Sequence, residues 1–225
     1  MAGVLGGHGS VTRMPTPPET PASDELLADR PEEWPVASSE DLHRDDWVMA
    51  LRSDRIRRPG HPDEEPFRRL VLEHPGAAVV LALDEQDRAF CLRQYRHAAS
   101  RRFVELPAGL CDVAGEDPLE VARRELVEEA GLEAGEWTHL TSAYSSPGIS
   151  AELMHFYLAR DLRHVDRGDF VPEHEEAEMD TFWVPYDELH AAVVDGRVAD
   201  APVVLAVLLA QARGLAGSGR PPLEG

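Results

Sequence analysis

The stretch that decides the fold is "GEDPLEVARRELVEEAGLEAG", Gly115 to Gly135, in the middle of the chain. Its apolar spacing predicts an amphipathic helix. Glu125, Glu128 and Glu129 recur at separations of three and four residues, which places them on one face, where each like-charge pair costs roughly 0.2–0.5 kcal/mol. The stretch contains no lysine, and we expect no arginine to form an ion pair with these glutamates. The stripe therefore either faces water or holds a cation.

The ends of this helix are marked by the sequence. Asp117 is a favourable N-cap, Pro118 suits the first helical position, and Glu120 stands where a capping box requires an acid. Gly131 is expected just past the last turn. The apolar side chains that would dock the helix on a sheet are Leu119, Ala122, Leu126 and Ala130.

The glutamate stripe borders this apolar face and should be partly desolvated. Repulsion among carboxylates grows with desolvation unless a positive charge is present. Mg²⁺ suits such a position because it takes hard oxygen ligands, needs only a few carboxylates, and completes its shell with water and substrate phosphates.

Length, charge and cysteine content exclude several classes of function. The 225 residues suffice for one good core, and the net charge of −20 argues against nucleic acid or an anionic membrane as partner, although not against one small anionic substrate beside a divalent cation. No apolar run is long enough to cross a bilayer and no signal pattern begins the chain, so we expect a cytoplasmic protein. Cys91 and Cys111 are expected to be reduced and buried.

The order of predicted elements indicates an α/β fold. Residues 1–33 are rich in Pro, Gly, Ser and acid, and are interpreted as a disordered tail. Strands are predicted between turn signals on both sides of the central helix, and "YDELHAAVVDG" and "VVLAVLLAQARG" are predicted to form two later helices. This order predicts a sandwich around a largely mixed sheet.

The segment from Gly109 to Leu132 resembles the Nudix box, G-x5-E-x7-R-E-U-x-E-E-x-G-U with U aliphatic. The positions that match in register are Glu116, Arg124, Glu125, Leu126, Glu128, Glu129, Gly131 and Leu132. One extra residue separates Gly109 from Glu116. The resemblance implies the Nudix α/β/α sandwich and an enzyme that hydrolyses a diphosphate with divalent metal.

Roles for individual residues follow from this resemblance. The implied metal ligands are Glu125, Glu129 and Glu128, with the backbone carbonyl of Ala108. Glu116 is implied to be either an auxiliary ligand or a partner that holds Arg124. Gly109, Arg124 and Gly131 are implied to be structural parts of the motif. The ions would be two or three Mg²⁺, with Mn²⁺ as an alternative.

Further features resemble the ADP-ribose pyrophosphatase branch, closest to its actinobacterial members. "RQYRH" precedes "ELPAG", and Pro147 stands sixteen residues beyond Gly131. By this resemblance Arg96, Arg102 and Pro147 are candidate substrate contacts. Residues 34–76 would be an N-terminal β region that forms a homodimer, residues 77–213 the Nudix domain, and residues 214–225 a flexible tail.

The implied reaction is hydrolysis of ADP-ribose to AMP and ribose 5-phosphate. The base is expected on the acidic loop "PEHEEAEMD", with Glu176 preferred, Glu175 the alternate, and His174 a weaker choice. One alternative is another nucleoside diphosphate derivative, such as a nucleotide sugar or a dinucleotide. Another is a non-catalytic ADP-ribose sensor. Trp34 and Trp47 are open candidates for holding the base of the nucleotide, although Trp47 is expected to pack in the core.

Overall fold

The computed structural model describes residues 27–167 and 179–218. The chain divides into two units, residues 1–34 and 35–225. Of the first unit only the end is described, where Trp34 Nε1 donates a hydrogen bond of 2.9 Å to Glu32 Oε1.

The second unit contains ten strands and three α-helices within its described residues. The strands are β1 (Val36–His43), β2 (Ala50–Ile56), β3 (Phe67–Glu73), β4 (Ala77–Ala82), β5 (Arg88–Arg96), β6 (Arg101–Glu105), β7 (Ala108–Leu110), β8 (Leu132–Tyr144), β9 (Leu153–His164) and β10 (Asp180–Pro185). The helices are α1 (Pro118–Ala130), α2 (Tyr186–Val194) and α3 (Ala201–Ala212). None of the described helices is long and apolar enough to cross a membrane.

Strand β4 lies at the centre of the fold and is buried along its whole length. It belongs to a four-stranded sheet in the order β7-β4-β9-β8, in which β4 and β9 are parallel and the other pairs antiparallel. Successive side chains of a strand point to opposite faces. Ala77, Val79 and Leu81 enter the core with α2 and α3, whereas Val80 and its even-numbered neighbours enter the core with α1. The sheet is thus sandwiched between helices, which confirms the α/β class.

A second sheet is present in addition to the mixed sheet expected from sequence. Strand β5 is paired along one edge by β10 and along the other by β6, both antiparallel. With both edges occupied, β5 forms no ladder with β4, and an isolated bridge joins Leu83, just after β4, to Ala89. The two sheets are consequently separate, although β4 and β5 are consecutive in the chain.

Strands β1, β2 and β3 form a third, antiparallel sheet over residues 36–73. Every residue of β1 is exposed. Its sequence, "VASSEDLH", lacks the apolar alternation that predicts a half-buried strand, which is why sequence reasoning missed it.

The segment after α3 is packed as far as it is described. Ala216 is fully buried, and Gly217 N donates to Asp87 Oδ2 at 2.7 Å. Arg160 Nη2 bridges Asp87 Oδ1 (2.6 Å) and the carbonyl of Leu215 (2.9 Å). The part-buried ion pair of Arg160 and Asp87 thus connects residues 215–217 to the β4–β5 turn, at the start of the segment predicted to be a tail.

Candidate active site

Helix α1 begins and ends where the sequence predicts. Asp117 Oδ1 accepts the N–H of Leu119 at 2.9 Å, and Gly131 closes the helix at φ +64°, a left-handed conformation that glycine adopts without strain. The predicted capping box does not form, because the Glu120 carboxylate pairs with Arg123 at 2.8 Å instead. Val121, absent from the predicted apolar stripe, is also buried.

The glutamate stripe faces the protein interior. Glu125 and Glu129 are only 9% and 7% exposed, and Glu128 is half-buried. Glu129 Oε2 accepts the N–H of Ala108 at 2.9 Å. At Gly109 an added Cβ would lie 2.0 Å from Glu125 Cδ. The absence of a side chain at position 109 thus lets β7 lie directly against the carboxylate of Glu125.

Arg124 corrects the expectation that no arginine pairs with this stripe. Its Nη1 lies 2.6 Å from Glu125 Oε1 and 3.4 Å from Glu128 Oε2, and its Nη2 lies 3.9 Å from Glu116 Oε2. Arg124 thus partly neutralises the stripe and connects the loop before α1 to the helix. Among the described side chains, Glu116 Oε2 is buried without a hydrogen-bond partner.

A cavity of about 710 Å³ opens in front of the stripe. Arg96, from β5, lines the same cavity and forms a two-pronged ion pair with Glu105 of β6, with Nη2–Oε2 at 2.6 Å and Nε–Oε1 at 2.9 Å. The hydrogen bonds to Glu105 raise the pKa of Arg96. The cavity thus carries two arginines, Arg96 and Arg124, and three buried carboxylates, Glu105, Glu125 and Glu129.

The donor set fits a divalent cation completed by its ligand. Within residues 27–167 and 179–218, no three acidic, histidine or cysteine side chains are clustered as a complete metal cage. Mg²⁺ characteristically takes one or two carboxylates and fills its shell with waters and substrate phosphates. The two buried carboxylates, Glu125 and Glu129, match that requirement, whereas Glu116 is not among the described residues that line this cavity.

Other predicted site residues lie elsewhere. Arg102 lies on β6 and Pro147 in the turn after β8, and neither is among the described residues that line the cavity. Glu175, Glu176 and His174 lie outside the described residues. Trp47 was expected in the core, but it is 63% exposed and lines the cavity, because the loop between β1 and β2 leaves it outside all three sheets.

Sequence reasoning missed several polar residues of the cavity lining, among them Glu105, Asp200, His74 and Glu152. Asp200 caps α3 through Val203 N (3.1 Å), and burial raises the pKa of its carboxyl to about 6. Each of these residues comes from a different element. The one signal in the sequence was the capping pattern at Asp200, which indicates a helix start and not a cavity.

Comparison with known proteins agrees with this geometry. Residues 72–206 match the NUDIX domain model. The chain is 42% identical over 175 residues to the ADP-ribose pyrophosphatase of Mycobacterium tuberculosis, covering 78% of this chain and 82% of that protein. It is 33% identical to the methanol dehydrogenase activator of Bacillus methanolicus over 71% of this chain and 83% of that one.

More distant relatives carry other substrates in their names. The GDP-mannose pyrophosphatase of Citrobacter koseri is 31% identical over 58% of this chain and 70% of its own. The solved structure of an ADP compounds hydrolase shares the fold with a TM-score of 0.64 at 21% identity, covering 84% of this chain and 100% of that one. Since the domain model spans more than half of the residues and matches the segment that builds the cavity, this chain belongs to the Nudix family.

Proposed function

We propose that this protein hydrolyses the diphosphate of ADP-ribose, giving AMP and ribose 5-phosphate in a reaction that depends on Mg²⁺. The observation that carries the proposal is the pair of buried carboxylates, Glu125 and Glu129, which face the same cavity as Arg96. An acidic wall that also carries Arg96 and Arg124 suits a diphosphate that arrives with divalent cations. The name of the Mycobacterium tuberculosis relative supports ADP-ribose as the substrate.

Different residues of the cavity would bind the metal ions and the substrate. Glu125, Glu129 and the carbonyl of Ala108 would hold two or three Mg²⁺ or Mn²⁺ ions, aided by Glu128 and Glu116. When bound, these ions supply charge neutralisation on the phosphates and lower the pKa of a coordinated water.

Arg96 would orient the diphosphate. Its bonds to Glu105 use Nε and Nη2, so the Nη1 edge of the guanidinium is directed away from that carboxylate. A guanidinium held at one edge loses little further entropy when its other edge meets a phosphate oxygen. Glu105, itself buried, thus acts as the anchor of the arginine.

The attacking water needs a base, for which we propose Glu176, with Glu175 as the alternate. Glu128 would assist at the metal stripe. The support for Glu176 is the motif resemblance alone, and a Glu176→Gln variant tests it separately from the metal ligands.

We also propose that the protein is a cytoplasmic homodimer. The exposed strand β1 leaves one edge of the third sheet open, and Val36, Leu42 and Trp47 are large exposed apolar residues in and beside it. An open edge with apolar side chains favours pairing with a second copy. Sedimentation velocity at micromolar concentration should show twice the 24.8 kDa mass of one chain, and a monomer would contradict the dimer.

The first test is release of AMP from ADP-ribose with Mg²⁺. Glu129→Gln should lower kcat/KM by roughly 10²–10³-fold, the usual loss when a group that stabilises transition-state charge is removed. Glu120→Gln is the matched control, because Glu120 lies on the exposed side of the same helix and forms an ion pair with Arg123 at 2.8 Å. This control should stay within about twofold of wild type.

The outcomes separate the alternatives. If a nucleotide sugar such as GDP-mannose is hydrolysed faster than ADP-ribose, the diphosphate hydrolysis stands and ADP-ribose is the wrong substrate. Tight ADP-ribose binding without hydrolysis of any diphosphate would favour the sensor. Full activity of Glu129→Gln would show that catalysis does not depend on a metal ion bound by the glutamate stripe.

A further inference from the structure

Two histidines and a serine meet on strands β8 and β9, apart from the active-site cavity. His139 Nε2 lies 3.0 Å from Ser142 Oγ, and His155 Nδ1 lies 2.9 Å from the same oxygen. None of the three is among the described residues that line the cavity in front of the glutamate stripe. The proposed hydrolysis therefore does not use this cluster.

A β-bulge in β8 brings the three side chains to one face of the sheet. Ser142 is paired with His155 of β9. His139 is paired with Tyr157, and the register of the ladder shifts just after it. In a regular strand, residues three positions apart point to opposite faces. The bulge inserts one extra residue, so Ser142 points to the same side as His139 and His155.

The hydroxyl of Ser142 shows that nitrogen lone pairs converge on one point. A hydroxyl has a single hydrogen, so it can donate to only one of the two rings, and the other ring must donate its own N–H to the oxygen. One neutral ring thus already directs a lone pair at the position of Ser142 Oγ. The second ring does so once its proton moves to its other nitrogen.

The surroundings favour the form of His155 that binds a metal ion. Burial is the main cause that lowers the pKa of His155 from its usual 6.5, and His139 lowers it further, whereas Asp117 at the start of α1 raises it. The ring is therefore mainly neutral at pH 7, as a metal ligand must be. The negative charge of Asp117 also favours a cation nearby.

Nitrogen ligands select a different cation from the one that suits the glutamate stripe. Mg²⁺ prefers oxygen ligands, whereas imidazole suits Zn²⁺, Cu²⁺ and Ni²⁺. Zn–N bonds are about 2.0–2.1 Å long, so each ring nitrogen would approach the position of Ser142 Oγ by roughly 1 Å. His139 is exposed, with its ring edge-on to Tyr157 at 5.4 Å between centroids, and Ser142 is exposed as well. Both side chains have room to rotate.

We propose that His139 and His155 form a second metal site, which binds a divalent cation of the Zn²⁺ class between β8 and β9. The two ring nitrogens are the protein ligands, and the hydroxyl of Ser142 moves aside as the cation binds. Water completes the coordination shell, because within residues 27–167 and 179–218 no group of three His, Cys, Asp or Glu side chains could hold a metal ion.

The test is calorimetric titration of the full chain with Zn²⁺ in excess Mg²⁺, which competes for the carboxylate ligands of the glutamate stripe. Wild type should bind one Zn²⁺ per chain at the histidine site. His139→Ala and His155→Ala should each weaken that binding at least about 10-fold, since loss of a residue behind a ligand already costs about 10–100-fold. His164→Ala, which removes an exposed histidine of β9, is the matched control and should bind as wild type does.

Ser142→Ala distinguishes a metal site from a cluster held only by hydrogen bonds. This variant removes the hydroxyl that occupies the position of the cation, so it should bind Zn²⁺ as tightly as wild type or more tightly. Histidine NMR signals give a second readout that needs no substitution, because Zn²⁺ should shift the ring signals of His139 and His155 but not those of His164. Thermal unfolding without Zn²⁺ checks that each variant is folded.

Three results would overturn the proposal. The first is wild type that binds no Zn²⁺ in excess Mg²⁺, and the second is unchanged Zn²⁺ affinity in the folded His139→Ala variant. The third is Zn²⁺ binding that is lost in Glu129→Gln but kept in both histidine variants, which would place the cation on the glutamate stripe. Hydrolysis of ADP-ribose enters none of these readouts, so the proposal does not depend on the proposed function.

Discussion

Helices α1 and α3 start with the same local signal and end in opposite roles. Each has an aspartate N-cap with extended backbone, Asp117 at φ −68° and Asp200 at φ −71°, and each has a proline in its first two positions. Helix α1 buries two glutamates in its packed face, whereas the buried residues of α3 are all Val and Ala. The N-cap residue determines where a helix begins. The residues that follow determine whether its buried face is apolar or carries carboxylates.

The difference arises from what each helix packs against. Helix α1 lies beside β7, where Gly109 leaves room for Glu125 and where the backbone of Ala108 hydrogen-bonds to Glu129. Helix α3 packs on the other face of the sheet with α2 in a continuous apolar core. The sandwich thus assigns chemistry to one layer and stability to the other, although Asp200 at the start of α3 reaches the cavity.

The largest expected effect is at the contact between β7 and α1. In Gly109→Ala the new Cβ would occupy the place of the Glu125 carboxylate, and since that side chain is flexible, it should turn away and leave the fold intact. We expect activity to fall about 100-fold, as for loss of one electrostatic contact in an active site. ADP-ribose hydrolysis and thermal unfolding measure the two consequences.

Gly148→Ala is the control for this substitution, because a Cβ at position 148 would meet no atom within 4 Å. It should leave both activity and melting temperature near wild type. A Gly109→Ala protein with full activity would show that Glu125 is not needed at its present position.

A smaller effect is expected in the layer that supports stability. Tyr186, at the start of α2, is 1% exposed and donates its hydroxyl to the carbonyl of Val207 in α3 at 2.6 Å. Tyr186→Phe should lower the free energy of unfolding by about 1–2 kcal/mol, because a buried hydrogen bond is lost. Urea denaturation measures it, with Tyr144→Phe on the surface as the control.

Activity is the second readout for Tyr186→Phe. If the two layers divide function as described, kcat/KM at a temperature well below unfolding should remain within about twofold of wild type. A large loss of activity in the folded variant would mean that α3 helps to shape the cavity.

The sequence predicts what local chemistry controls. Both caps of α1, its length, and the turn signals between strands depend on neighbours in the chain, and the structure contains them at Asp117, Gly131 and Asp84–Asp87. Strand β1 was missed because its exposed residues carry no pattern.

The cavity was predicted only in part, because its members are far apart in the chain. Glu105 and Asp200 are brought near Arg96 by the pairing of β5 with β6 and by the packing of α3. No residue spacing in the sequence predicts that these three side chains lie close together. Trp47 was placed in the core by its hydrophobicity, but the loop that carries it lies outside the sheets.

The smallest expected effect tests the two caps themselves. Burial raises the pKa of Asp200 to about 6 from its usual 3.8, so the folded protein binds that proton more tightly than the unfolded chain does. The resulting stabilisation is fully present below about pH 3.8 and is lost as the pH rises through 6. Asparagine caps a helix about as well as aspartate and carries no charge.

Asp200→Asn should therefore gain stability relative to wild type as the pH rises from 4 to 7, by roughly 2–4 °C in melting temperature for a chain of this size. Asp117→Asn makes the same exchange at the exposed cap of α1 and is the matched control. If both variants shift equally with pH, the shared cap chemistry accounts for the result. If only Asp200→Asn shifts, the cavity has changed the chemistry of one of two otherwise equivalent helix starts.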